Sequence, residues 1–213
     1  MNAVIFDVDG VLLDSPHERA WREALDELMT GEWRHLRSTW APGAFTPALY
    51  QRLASGRPRL DGALAVLEHF RVPYLIEQSQ RYADRKQEHL VRLLEHGTLH
   101  TYPDARRFVE RLAGVPTAAA SSSRNAPALL RRAGFSFAVD VSGRAARGKP
   151  APDLFLLAAR ELGVEPERCT VVEDAPAGLE AAKAGGMRTI GVARNGEPLE
   201  ADVVVRSLDD LVL

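Results

Sequence analysis

Cysteine is all but missing from this chain. Its 213 residues hold one, Cys169, so no disulfide can close within it, which fits a reducing cytoplasm. Neither sign of charge is in excess, the formal net charge being −2, and nothing in that balance suggests a nucleic-acid or membrane partner. No run approaches the ~18 apolar residues that a spanning helix needs. No basic segment precedes the first apolar stretch, and Asp7 and Asp9 interrupt it after a few residues, so no secretory signal is expected. Internal repeats and low-complexity tracts are also absent. What is present is 46% hydrophobic and 26% charged residues, in a chain long enough to bury about 70% of its unfolded surface. A soluble cytoplasmic protein is expected, either one domain with a large insertion or two modest domains.

Residues 3–8 (AVIFDV) form a β-branched, apolar run closed by Asp-Gly and read as a buried strand. From about Pro16 to Gly97 apolar residues recur at three- and four-residue intervals, as in Trp21, Leu25 and Leu28 or Leu90, Leu93 and Leu94. That block is expected to be helical, with breaks at TGEW, APGAFTP, SGRPR and RVP. Beyond Thr98 the rhythm alternates. Strands are expected at 116–120, 138–141, 170–173, 189–192 and 202–205, with helices at 105–113, 126–133, 152–162 and 175–184. Such alternation marks βαβ units and a parallel sheet, which the first strand would join. The fold class is therefore α/β, a Rossmann-like core over 1–14 and 98–213 with a helical cap inserted at 15–97.

Ligands bind outside the carboxyl ends of strands in such sheets. Four polar stretches fall there: 7–9, 121–125, the loop around 147–150, and Glu173-Asp174. Asp7 and Asp9 would face the same way on an ideal strand, and two carboxylates so close raise one another's pKa unless a cation compensates. A turn or helix cap is the plainer reading of such a pair. With Glu173 and Asp174 added, a hard divalent ion, Mg2+ for choice, relieves the repulsion. Lys149, between Gly148 and Pro150, is either a solvated surface lysine or a point charge for a nucleophile and a phosphate oxygen. Ser121, Ser122 and Ser123 offer hydroxyls and backbone N–H groups to an oxyanion, and one of them or Asn125 is also expected to cap the next helix.

FDVDGVLLDS, SSSRNAP, GKPAPDLF and VVEDAPAGLEAAKAGGM together resemble the four ordered motifs of the haloacid dehalogenase-like superfamily, and more narrowly its β-phosphoglucomutase-like group with an inserted helical cap. The resemblance implies that Asp7 is the nucleophile and becomes an aspartyl-phosphate, while Asp9 is the general acid/base. It implies a Mg2+ held by Asp7, the backbone carbonyl of Asp9, and Asp174, with Glu173 close or acting through water. Ser121 and Lys149 would hold the transferring phosphoryl oxygens. Ser122, Ser123, Arg124 and Asn125 would face the substrate, a second phosphate or the sugar.

In the cap, His17 resembles a histidine that links cap closure to the acid/base. Arg59 resembles an arginine that grips a distal phosphate, with Arg57 as the alternative, and Lys86 resembles a lysine on the sugar side. Two departures stand out: the link from Asp14-Ser15 to His17 is short, and Gly62 occupies the place of a serine. The reaction implied is interconversion of β-glucose 1-phosphate and glucose 6-phosphate by a monomer, under a cap that excludes water. Hydrolysis of sugar phosphates or related small esters is the alternative, and a catalytically dead relative would lack residues that are present here. The only partner expected is a small phosphorylated metabolite.

Overall fold

In the computed structural model, residues 2–97, 99–144 and 146–212 are described. The chain divides into two compact units, Met1–Ser15 with Leu99–Leu213, and Pro16–Thr98.

The first unit is built on strands β1 (Ala3–Phe6), β4 (Thr117–Ala119), β5 (Val139–Asp140), β6 (Cys169–Glu173), β7 (Arg188–Val192) and β8 (Val203–Val205). They form one sheet in the order β5-β4-β1-β6-β7-β8, with every neighbouring pair parallel. Chain order therefore reverses at β1, which lies between β4 and β6, and that reversal opens the crevice in which doubly wound sheets bind ligands. β1 is central and wholly buried, which is why its sequence is apolar without alternation.

Alternate residues of the strands serve opposite layers. Ala3 and Ile5 join the core beneath α7 (Asp153–Leu162) and α8 (Pro176–Ala184). Phe6 turns the other way, with its ring centroid 6.0 Å from that of Phe108 on α5 (Pro103–Arg111) and 5.6 Å from that of Phe137. α6 (Ala126–Ala133) follows β4. α6 starts where the sequence reading put it, whereas α5 and α8 start a residue or two away, each on a proline, whose fixed φ suits the first helical position.

One pair of strands was not foreseen. β2 (Leu13–Asp14) and β3 (His100–Thr101) form a two-residue antiparallel ladder on either side of the inserted segment. The insertion thus follows β2 and not the first strand of the main sheet. Strands of two residues carry too short a pattern to be read by periodicity.

The second unit is helical throughout its named elements: α1 (His17–Thr30), α2 (Pro47–Leu53), α3 (Arg59–His69) and α4 (Leu75–His96). All four breaks expected from the sequence fall between these helices. Its own core gathers Trp21, Leu25, Leu28, Trp33, Phe45, Leu67, Phe70 and Tyr82. Among the described residues no helix is long and apolar enough to cross a membrane.

Candidate active site

The ladder of β1 runs one residue past its last strand position, since Asp7 N donates to Val172 O at 2.9 Å. The chain then turns sharply: Leu12 N and Leu13 N both donate to Val8 O at 2.9 Å, and Gly10, at φ +92°, permits the bend. The neighbouring strand ends deliver their own polar residues beside it. β4 leads into Ser121, and β6 ends on Glu173 with Asp174 following.

Lys149 is the hinge of the charge arrangement. Its buried ammonium donates to Asp7 Oδ1 and, at 2.7 Å, to Glu173 Oε2, and it lies 4.7 Å from the centroid of the Phe155 ring. The surface alternative for this lysine is thereby excluded. Burial by itself would lower the lysine pKa, but the carboxylates of Asp7 and Glu173 more than reverse it and hold Lys149 protonated. Burial raises both acids, most of all through lost hydration; Asp9 adds to the rise at Asp7, Asp7 adds to it at Glu173, and Lys149 opposes both.

Glu173 Oε1 accepts from Asp174 N at 3.3 Å and Ala175 N at 3.2 Å, so both oxygens of this carboxylate already have donors within the protein. Asp7, Glu173 and Asp174 nonetheless bring one carboxylate oxygen each within 4.8 Å of one another. Three carboxylates against one ammonium, all oxygen donors, suit a hard divalent cation. Asp7 and Asp174 are the members whose carboxylates would hold such an ion directly, with Glu173 acting from behind through Lys149 or water.

Asp9 has partners other than those of Asp7. Its carboxylate accepts from the hydroxyls of Ser15 and, at 3.4 Å, of Ser121. Ser121 Oγ also accepts from Ser123 N at 3.1 Å, and Ser123 Oγ from Asn125 N at 3.3 Å, so the serines fold the loop upon itself. This corrects the capping expectation: Asn125 holds the N-cap position of α6 in helical geometry, without a side-chain cap bond. Ser122 is half-buried in the same loop and Arg124 is exposed.

Within the second unit, His17 opens α1 and its Nδ1 lies 3.1 Å from Lys86 Nζ, with that ammonium 5.1 Å from the centroid of the Trp21 ring. Lys86 is buried, against the surface reading that single lysines invite. Burial, reinforced by the Lys86 charge, pushes the His17 imidazole well below its ordinary pKa and keeps it neutral. Arg59 donates to Gln87 Oε1 at 2.8 Å, which ties it to the residue after Lys86 on α4. Gly62 also has a reason: a Cβ there would lie 3.3 Å from Ala54 Cα and 3.4 Å from the Trp21 ring.

The sequence profile of the haloacid dehalogenase-like hydrolases matches residues 1–186. The chain belongs to that family. Within it the resemblance to the β-phosphoglucomutase-like group is carried by a Bacillus subtilis β-phosphoglucomutase, 33% identical over 223 residues that span all of this chain and 92% of the relative. Fructose-1-phosphate phosphatase YqaB of Escherichia coli is 30% identical over 89% of this chain and 95% of its own. Among solved structures, β-phosphoglucomutase from Clostridium difficile superposes with a TM-score of 0.79 at 26% identity, covering 100% of this chain and 93% of that one. The protein is accordingly an enzyme, a haloacid dehalogenase-family phosphotransferase or phosphomonoester hydrolase.

Several residues that build this family site were missed in the sequence. Gly178 is one: a Cβ there would lie 2.0 Å from Glu173 Oε2, so only glycine leaves room for that carboxylate. Gly10 does the same for Asp174, 2.1 Å from Oδ2. Ser142 is another, its Oγ accepting from Ser121 N at 3.2 Å. The glycine signals were visible in DVDG and PAGLEA, but their reason lies in neighbours far along the chain.

Proposed function

We propose that this enzyme moves phosphoryl groups on small sugar phosphates through an aspartyl-phosphate at Asp7, with Mg2+ as the bound ion, and that its reaction is interconversion of β-glucose 1-phosphate and glucose 6-phosphate. The observation that carries this is Lys149 between Asp7 and Glu173, with Asp9 two residues on and hydrogen-bonded to Ser15 and Ser121. In this reading a carboxylate oxygen of Asp7 attacks phosphorus, the ester P–O bond breaks, and Asp9 gives its proton to the departing sugar oxygen. Asp9 then takes a proton from the acceptor hydroxyl, which attacks phosphorus and releases Asp7. Lys149 and Ser121 stabilise the equatorial oxygens throughout. Asp7, the Asp9 carbonyl and Asp174 would hold the ion, which would supply positive charge to the phosphoryl oxygens. Ser122, Ser123, Arg124 and Asn125, and His17, Arg59 and Lys86, are proposed to bind the substrate.

Hydrolysis is the second reading. It is favoured by the likeness to a fructose-1-phosphate phosphatase and by Gly62, whose packing against Ala54 and Trp21 leaves little space for a serine. One assay separates the two. With β-glucose 1-phosphate, Mg2+ and a trace of the 1,6-bisphosphate, a mutase yields glucose 6-phosphate with little free phosphate. Phosphate release without isomerisation would leave hydrolysis as the reaction. Asp7→Asn is expected to abolish either, and full turnover by that variant would remove Asp7 from the nucleophile role.

A further inference from the structure

Arg194 follows β7 in a polar stretch, ARNGEP, whose composition suggests nothing more than a surface loop. Its guanidinium nevertheless reaches back 184 residues to donate from Nε to Gly10 O at 3.0 Å. One terminal nitrogen donates to Val11 O at 3.0 Å, and the other to Asp104 Oδ2 at 2.9 Å. The plane rests on the Tyr102 ring, with the guanidinium carbon 3.7 Å from its centroid, and the side chain is only 14% exposed. Asp104 is itself fixed, accepting from Ala105 N, Ser207 Oγ and Leu208 N. Arg194 thus has all three nitrogens engaged and one face stacked, an arrangement that leaves it no other geometry and that lysine's single ammonium cannot reproduce.

The two carbonyls it grips matter because of their neighbours. Gly10 directly follows Asp9, and the Cα hydrogen in the place of a side chain faces the Asp174 carboxylate, so closely that a Cβ would stand 2.1 Å from Oδ2. We propose that Arg194 is a positioning residue, pinning the Gly10–Val11 turn so that Asp9 and the Asp174 side of the acidic cradle keep their spacing. It touches neither substrate nor reacting atoms in this account, which rests on the phosphoryl-transfer reading above. The same turn is also tied by Gly10 N to Leu13 O, by Leu12 N and Leu13 N to Val8 O, and by Tyr102 N to Leu12 O, but the carbonyls of Gly10 and Val11 are the ones that Arg194 takes. A misplacement of about 1 Å at a reacting group can cost about a hundredfold in rate.

The test compares wild type with Arg194→Ala and Arg194→Lys. Both variants are expected to lose about ten- to a hundredfold in kcat while the sugar phosphate KM stays within about twofold. The Mg2+ concentration for half-maximal rate is expected to rise, and methylguanidine added to Arg194→Ala should restore part of kcat. Unchanged kcat in the folded protein, with only a lower melting temperature, overturns the proposal. Should Arg194→Ala fail to fold, Arg194→Lys keeps a long side chain and a positive charge in reach of Asp104, and is judged by the same criteria. Mn2+ binding, followed by its electron paramagnetic resonance signal, gives a readout independent of turnover. Weaker binding in the variants supports the role and equal binding overturns it. If wild type transfers no phosphoryl group, the functional reading falls, while the Mn2+ comparison still decides the role of Arg194.

Discussion

Gly178 sits on α8 where any side chain would collide with Glu173, whose Oε2 would be 2.0 Å from a Cβ. Gly178→Ala must therefore push Glu173 aside and strip Lys149 of one of its two carboxylates. Overpacking of that kind costs about 1–3 kcal/mol, and the displaced Lys149 is expected to lower kcat by an order of magnitude or more. Thermal melts and steady-state rates on the same preparation check both parts; wild-type rates would show that Glu173 does not steer Lys149. His17 carries a second expectation. Its folded pKa lies below the ordinary 6.5, because of burial and then the Lys86 charge. Between the folded value and 6.5 the unfolded chain binds the additional proton, so stability from the neutral imidazole is full above pH 6.5 and is lost as pH falls below it. A single such group contributes a slope of up to about 1.4 kcal/mol per pH unit. Urea melts from pH 7.5 to 5 should show a flatter decline in His17→Gln than in wild type, and parallel declines would refute the assignment.

At the scale of elements, the second unit depends on α1 packing against α4. Tyr82 of α4 is buried with its hydroxyl donating to Trp21 O at 2.9 Å, and the two rings meet edge to face at 4.9 Å between centroids. Tyr82→Phe keeps the ring contact and deletes the hydrogen bond, so a loss of about 1 kcal/mol is expected in denaturant unfolding. No loss would mean that the ring alone holds the pair. The helices themselves were legible, since their apolar spacing and proline or glycine breaks are local signals. The β2–β3 ladder was not, because two residues per strand hold no periodicity and the pairing joins Leu13 to Thr101 across the whole insertion. The start of α6 at Ala126 was read correctly, but its side-chain cap was not, for a related reason. Ser121 and Ser123 spend their oxygens on amides two residues ahead within the loop, a local alternative that competes with capping.

Across the whole molecule, each unit has a hydrophobic core of its own, and the acidic cluster is already partly offset by Lys149 and by the amides of Asp174 and Ala175. Removal of divalent ions with a chelator is therefore expected to abolish turnover while far-UV circular dichroism stays near native, with Mg2+ restoring the rate. Collapse of the dichroism would instead make the ion a structural one. Alternation of strands and helices, the burial of residues 3–6 and the order of polar strand ends are consequences of local pattern, and the opening VIFDVDG already placed two acids at a strand tip, for which a cation was one answer beside a turn or a cap. The sequence could not say which groups answer them. Lys149 meets Asp7 across 142 residues and Arg194 meets Gly10 across 184, because a parallel sheet sets β1 between strands remote in the chain. Such partnerships leave no periodic trace; they exist only once the crossovers have laid those strand ends side by side.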